Sequence, residues 1–310
     1  MEDTRPICTF FAQGRCRHGD GCRFRHVGPE LTATPSAPAP PPQQAAAPKP
    51  PPCSFFARGA CRDGANCRFS HDVVAQAPPS KPAPAPTTVK LPPGAPLYAI
   101  DVECVATGVQ HHDRAVAQIS LVNASCEALL NLYVRPEKPV VSYLTPLTGL
   151  TAEHLDAHGV PLAEAMATLR SQLPPNSVLV GQNILKDVEW LGLVEGKDFG
   201  SMVDLAALLR AWNPKYGSFT MMSQDHYAGV WLGLHRTEAD AHDAVADAII
   251  SMRLFHAYAA VQYDAAAVAA QAARVLATPP KPSFAKLNPV FEGCCQGNKQ
   301  TCKCGAPFFS

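Results

Sequence analysis

Four carboxylates and one imidazole carry the chemistry legible in this chain: Asp101, Glu103, Asp187, His242 and Asp247. The run Leu97-Tyr98-Ala99-Ile100 is apolar and follows prolines, which reads as a buried strand. It ends in Asp101 and Glu103, and alternate strand residues project to one face. Two like charges held close disfavour each other's ionisation unless a cation sits between them. The alternative is a strand that simply runs out into solvent. Asp187 follows a second apolar run, Val178-Leu179-Val180, and the turn Gly181-Gln182-Asn183. A helix cap would equally explain an Asp there. His242 and Asp247 stand five residues apart in an Ala-rich, helix-favouring stretch. That separation rotates about 140° on a helix, so His242 is expected at the helix entrance with Asp247 one turn inside.

Taken together, D-V-E at Asp101–Glu103, G-Q-N-I-L-K-D ending at Asp187, and A-H-D-A-V-A-D containing His242 and Asp247 resemble the DEDDh family of 3′→5′ exonucleases. The resemblance covers about residues 97–260. It implies an α/β, RNase H-like fold, a mixed five-stranded sheet flanked by helices. It also selects Asp247 over the competing acids Glu238, Asp240 and Asp243, leaving those as acids that favour the helix dipole. The implied chemistry is two-metal phosphodiester hydrolysis, with Asp101, Glu103, Asp187 and Asp247 holding two Mg²⁺ or Mn²⁺ ions. Hard oxygen donors suit those hard cations. His242 is the implied general base, since an imidazole of ordinary pKa about 6.5 takes a proton near neutrality.

The segment from Tyr133 to Thr151 is similar to the V-x-P…V-x-D-Y-x-T…S-G-[IV]-T stretch of Rex-type RNA exonucleases and the poly(A)-nuclease catalytic subunit. Ser142 stands where those relatives usually carry an acid, Thr148 where they carry Ser, and Cys104 where Met follows the Glu. Such residues pack against the terminal nucleotide in the family, so these departures bear on substrate preference. Lys186 replaces an aromatic of DNA-proofreading relatives, which points to the RNA branch.

An internal repeat occupies the N-terminus. Cys8, Cys16, Cys22 and His26 are spaced Cys-x₇-Cys-x₅-Cys-x₃-His, and Cys53, Cys61, Cys67 and His71 repeat that spacing. The doubled pattern resembles CCCH zinc fingers. Three thiolates and one imidazole satisfy tetrahedral zinc, and modules this short need such a staple to fold. Arg15, Arg17, Arg23, Arg25, Arg58, Arg62 and Arg68 are interleaved with Phe10, Phe11, Phe24, Phe55, Phe56 and Phe69. Cations beside rings suit single-stranded RNA, where each stacked base contributes about 1–3 kcal/mol. Protein docking through the fingers or linkers is the other reading, and several of the rings must form the miniature cores.

The expected organisation is finger one (1–26), a Pro/Ala-rich linker (27–52), finger two (53–72), a second linker (73–96), the nuclease domain (97–260), an Ala-rich helix (261–278) and a Cys-containing tail (279–310). Lys+Arg and Asp+Glu balance at 26 each, so nucleic-acid affinity must be local and not a diffuse basic coat. Free thiols and the absence of a signal peptide or apolar span suggest an intracellular setting, nucleus or cytoplasm, without a membrane partner. Within the nuclease stretch the expected elements are strands at 97–103, 116–123, 127–134 and 177–181, with helices at about 151–173, 186–193, 202–211, 218–230 and 241–260. Cys294, Cys295, Cys302 and Cys304 could hold a third zinc, form a flexible thiol-rich tail or serve regulated disulfide chemistry, and His111-His112 reads as a solvated turn in preference to a metal site. The leading function is a CCCH-tethered exoribonuclease. A non-catalytic RNA-binding adaptor and an exonuclease acting on DNA are the alternatives.

Overall fold

The computed structural model describes residues 53, 61, 63–71, 84–237 and 240–305. The chain divides into two compact units, Met1–Ala75 and Gln76–Ser310. Of the first unit, the described part is finger two, in which a single 3₁₀ turn, Gly64–Asn66, leads into Cys67. Finger one lies outside the described residues.

The second unit is built on a five-stranded sheet of order β3-β2-β1-β4-β5. Its strands are β1 (Leu97–Ala106), β2 (Arg114–Asn123), β3 (Ala128–Tyr133), β4 (Val178–Gly181) and β5 (Ser201–Asp204). The first three form an antiparallel meander, while β1, β4 and β5 run parallel. The sheet is therefore mixed, as expected. Strict alternation along β1 sorts its two faces. Ile100, Val102 and Cys104 enter a core with Leu169 of α3 (Leu162–Gln172) and Val188 of α4 (Leu185–Leu191). Ala99, on the other face, packs with Met252 and Phe255 of α7 (Ala244–Val261) and Val275 of α8 (Ala265–Ala277). Asp101 and Glu103 share the parity of Ala99, so they point to the α7 side.

Three expected helices differ. The stretch 151–173 splits into α2 (Ala152–His158) and α3, preceded by the short α1 (Thr145–Thr148). Pro161, the N-cap of α3, has no amide hydrogen to continue α2, and Val160 bridges to Val134 instead. The stretch 202–211 begins as β5, paired in register with β4, and only then becomes α5 (Leu205–Leu208). Asp204 makes that switch by capping Ala206 N–H at 2.9 Å. The stretch 218–230 is a strand, β7 (Ser218–Thr220), hairpinned to β6 (Ala211–Asn213), followed by α6 (Gln224–Tyr227) and a π turn at Ala228–Leu232. Helix-favouring Ala and Leu are frequent in 151–173 and 202–211, though not in 218–230, and long-range pairing outweighs that weak preference.

The Ala-rich α8 belongs to the core: Val275 is fully buried and its carbonyl meets His226 Nε2 at 2.9 Å. Upstream of β1, Val89 N–H donates to Gln262 Oε1 at 2.8 Å and Tyr258 Oη donates to the Thr87 carbonyl. The end of the second Pro-rich stretch is thus strapped to α7. By length and composition α7 would pass for a membrane span, but its inward residues are core residues of this unit.

Candidate active site

β1 carries Asp101 and Glu103 into the sheet's centre, and its register with β2 breaks immediately after Glu103. Across the ladder, Ser120 lies opposite Asp101 and Gln118 opposite Glu103. Both are fully buried polar residues in a largely apolar strand, and they anchor the start of α7. Ser120 Oγ donates to the Ala244 carbonyl at 2.6 Å, Gln118 Nε2 donates to Asp243 Oδ2 at 3.0 Å, and Ala244 N–H donates to Gln118 Oε1 at 3.3 Å. Asp243 caps the helix by accepting from Ala246 N–H at 2.9 Å. His242 therefore precedes α7 and Asp247 occupies its first turn.

His242 Nδ1 sits 2.8 Å from Asp247 Oδ2, and Glu103 brings a carboxylate oxygen within 4.8 Å of both. The His242 backbone is fixed from the other side by its N–H, which donates to the Leu147 carbonyl at 2.7 Å. Gly149, at φ +70°, ends α1 in the left-handed region against Ala241 and His242, where a side chain would be strained. Asp187 lies in the first turn of α4, 6% exposed, and is not the N-cap, a place Ile184 takes. The backbone at Val102 hydrogen-bonds to the Asp187 carboxylate, which brings it against β1 between the other two acids.

The electrostatics follow from that convergence. Burial first, and then repulsion from Asp187, Asp247 and Glu103, raises the Asp101 carboxyl well above the usual range. Burial pushes Glu103 to about 8, with Asp247 adding repulsion and Arg236 partly offsetting it. Burial likewise pushes Asp187 to about 8, against the pull of the backbone hydrogen bonds. Arg236 is the cation nearest this cluster that the sequence did not single out. Its guanidinium pairs with Asp247 and reaches Asp225 at 3.5 Å, and the side chain is only 13% exposed. Gln224 was also missed; its Nε2 donates to the Asp247 carbonyl and to Ser251 Oγ, both at 2.8 Å. Polar residues alternating with apolar ones in β2 could have flagged Gln118 and Ser120. Nothing in the sequence flags Arg236.

In finger two, Cys53, Cys61, Cys67 and His71 bring their ligand atoms within 4.8 Å of one another. Arg68 lies 5.2 Å from the centre of the exposed Phe69 ring. The remaining finger cations and rings named above lie outside the described residues. The tail cysteines do not act as one set: Cys294 turns into a small core with Ala106 and Leu144, away from Cys295, Cys302 and Cys304. His111, expected in a solvated turn, lies against the latter three.

Two finger models match the N-terminus, the "Zinc finger C-x8-C-x5-C-x3-H type (and similar)" over residues 48–73 and the "CCCH-type zinc finger" over residues 6–26. Over 157 residues the chain is 29% identical to RNA exonuclease 4 of Candida glabrata, covering 51% of this chain and 57% of that protein. It is 25% identical over 171 residues to Small RNA degrading nuclease 3 of Arabidopsis thaliana, covering 54% of this chain and 20% of that protein. Over about half its length this chain is similar to RNA exonucleases. The fold agrees. The RNA exonuclease module of Saccharomyces cerevisiae Pan2, solved in complex with AAUUAA RNA, superposes with a TM-score of 0.50 at 19% identity, over 60% of this chain and 33% of that one. The chain spans only part of the length of each of these relatives.

Proposed function

We propose that this chain is a DEDDh-type exoribonuclease that removes nucleoside monophosphates from the 3′ end of single-stranded RNA, with its CCCH fingers holding the strand. The observation that carries this is the convergence of Asp101, Glu103, Asp187 and Asp247 from three separate elements into one cluster beside His242, with Asp187 and Asp247 buried. A fold gains nothing from crowding four acids together, where burial and the neighbouring carboxylates push Asp101 and Glu103 up, unless cations complete them. The all-oxygen donor set fits hard divalent ions, so Asp101, Glu103, Asp187 and Asp247 would hold Mg²⁺ or Mn²⁺. When bound, such ions supply Lewis acidity and charge neutralisation at the scissile phosphate.

The chain's own groups do the remaining work. Asp247 Oδ2 engages His242 Nδ1, which leaves Nε2 as the basic nitrogen to take the proton of the attacking water. The Leu147 carbonyl and the Gln118–Ser120 anchors keep that imidazole from swinging away. Arg236 shares Asp247 with His242 and limits repulsion inside the cluster. RNA tethered by the fingers reaches the site at an effective concentration on the order of millimolar for a linker that spans the gap.

The test is the full-length protein with Mg²⁺ or Mn²⁺ and 5′-labelled single strands of RNA and DNA. A descending ladder on RNA, lost in Asp101→Ala while RNA binding persists, is the expected result. A ladder on DNA alone would overturn the substrate assignment. No ladder on either polymer would turn the protein into an RNA-binding adaptor.

A further inference from the structure

The loop between β1 and β2 and the C-terminal tail meet at a second, sulfur-rich cluster with no part in the acid site. His111 comes from the loop, while Cys295, Cys302 and Cys304 come from the tail. Their four ligand atoms all lie within 4.8 Å of one another. Cys302 Sγ is 3.4 Å from His111 Nδ1 and 3.5 Å from Cys295 Sγ. A tetrahedral zinc ion with bonds of about 2.3 Å to sulfur and about 2.0 Å to nitrogen has ligand–ligand edges of about 3.5–3.8 Å. The two separations lie within about 0.3 Å of those edges, and the sulfur–sulfur one is far too long for a disulfide, whose sulfurs lie about 2.05 Å apart.

The surrounding backbone is arranged to hold these donors. The tail folds as a hairpin, β8 (Val290–Phe291) with β9 (Cys294–Cys295), following the short helix α9 (Phe284–Leu287). Cys295 N–H donates to the Val109 carbonyl at 2.8 Å, and Arg114 Nη2 donates to the Cys295 carbonyl at 2.9 Å, so the loop and tail are stitched at the ligand itself. Gly297, at φ +70°, approaches so closely that an added Cβ would stand 3.4 Å from the His111 Cβ. The Asn298 carbonyl accepts from Thr301 and Cys302 N–H and turns the chain back, and Cys304 N–H points at Cys302 Sγ at 3.5 Å.

We infer that His111, Cys295, Cys302 and Cys304 form a third, structural zinc site that clamps the C-terminal tail onto the β1–β2 loop. Thiolate and imidazole donors select zinc over the hard ions suited to the carboxylate cluster. The clamp seats Cys294 and Phe291 against Ala106, Leu144 and Leu147, and the Leu147 carbonyl is the group that holds the His242 backbone. It also places Glu292 to accept a 2.5 Å hydrogen bond from Ser142 Oγ. A carboxylate from the tail thus stands beside the position where Rex-type relatives carry their own acid. The zinc assignment does not depend on the nuclease reading.

The measurement is zinc content per chain of the full-length protein by plasma mass spectrometry. His111→Ala and the double variant Cys302→Ser/Cys304→Ser each bind one equivalent less than wild type. Cys294→Ala binds the full complement, and His111→Cys restores it. An unchanged content in His111→Ala, or a loss in Cys294→Ala, overturns the assignment. Wild-type protein gives a check free of any folding defect in the variants. Alkylation mapped by mass spectrometry spares Cys295, Cys302 and Cys304 until a zinc chelator is added, and then labels them at least tenfold faster. Equal labelling with and without chelator, or an intact mass showing a tail disulfide, overturns it as well.

Discussion

Replacing Glu103 with Gln removes the charge but keeps the shape, and it should make the protein more stable while destroying its proposed activity. Burial and the neighbouring Asp247 hold the Glu103 carboxyl at about 8, against an ordinary 4.5. Between those values the native state keeps a proton that the unfolded chain has released. Wild-type stability therefore falls as pH climbs from 4.5 to about 8, and the contribution is lost above that. Every tenfold change in proton affinity between the unfolded and folded chain is worth about 1.4 kcal/mol, so ionising this group in the fold costs at most about 5 kcal/mol. Water entry and movement of the Arg236 guanidinium reduce that, and a gain on the order of 2 kcal/mol is expected. For a domain of this size that corresponds to about 4–8 °C in Tm. The assay is thermal unfolding of both proteins at pH 5 and pH 8.5 without added Mg²⁺ or Mn²⁺. Chelators are left out, because they would strip the zinc sites. Glu103→Gln should melt higher at pH 8.5 and level with wild type at pH 5, and Mn²⁺ should stabilise wild type more than the variant. Equal or lower melting of the variant at pH 8.5 would refute the picture of a buried, cation-seeking acid.

Arg236→Gln leaves Asp247 without its cation in a buried setting, and should cost about 3 kcal/mol in urea unfolding without added divalent ions, less in Mn²⁺. Gln118→Ala strands the Ala244 N–H and frees the start of α7, so a loss of about 1–3 kcal/mol is expected, together with a drop in kcat from a displaced His242. Ser in place of Cys8 and Cys53 should abolish finger folding, raising KM for RNA while kcat stays within about twofold; a fall in kcat alone would show that the fingers do not act by tethering.

The five acid-site residues were legible because their chemistry is rare in the places they occupy. A carboxylate pair following an apolar run and a His-x₄-Asp at the mouth of an Ala-rich helix are local patterns, and each lies on its expected element, although β1 continues past Glu103 to Ala106. The ligands of finger two were legible for the same reason, as fixed spacings within a short segment. The sheet was only partly readable. Ser201–Asp204 is a strand because β4 offers it a parallel partner, and no local signal in Ser-Met-Val-Asp outweighs the Leu-Ala-Ala-Leu that follows.

What the sequence by itself determined was which acids and which imidazole were candidates for one site, the Cys/His repeat and the central strands, since each depends on neighbours a few residues away. What only the tertiary structure decided was which distant groups meet. Arg236 became the cation of Asp247, and Gln118 with Ser120 became the anchor of α7. His111 left its expected solvated turn for three thiols of the C-terminal tail, while Cys294 went to the core. Those pairings are set by strand register and by how the tail folds back on the β1–β2 loop, and spacing along the chain carries no record of either.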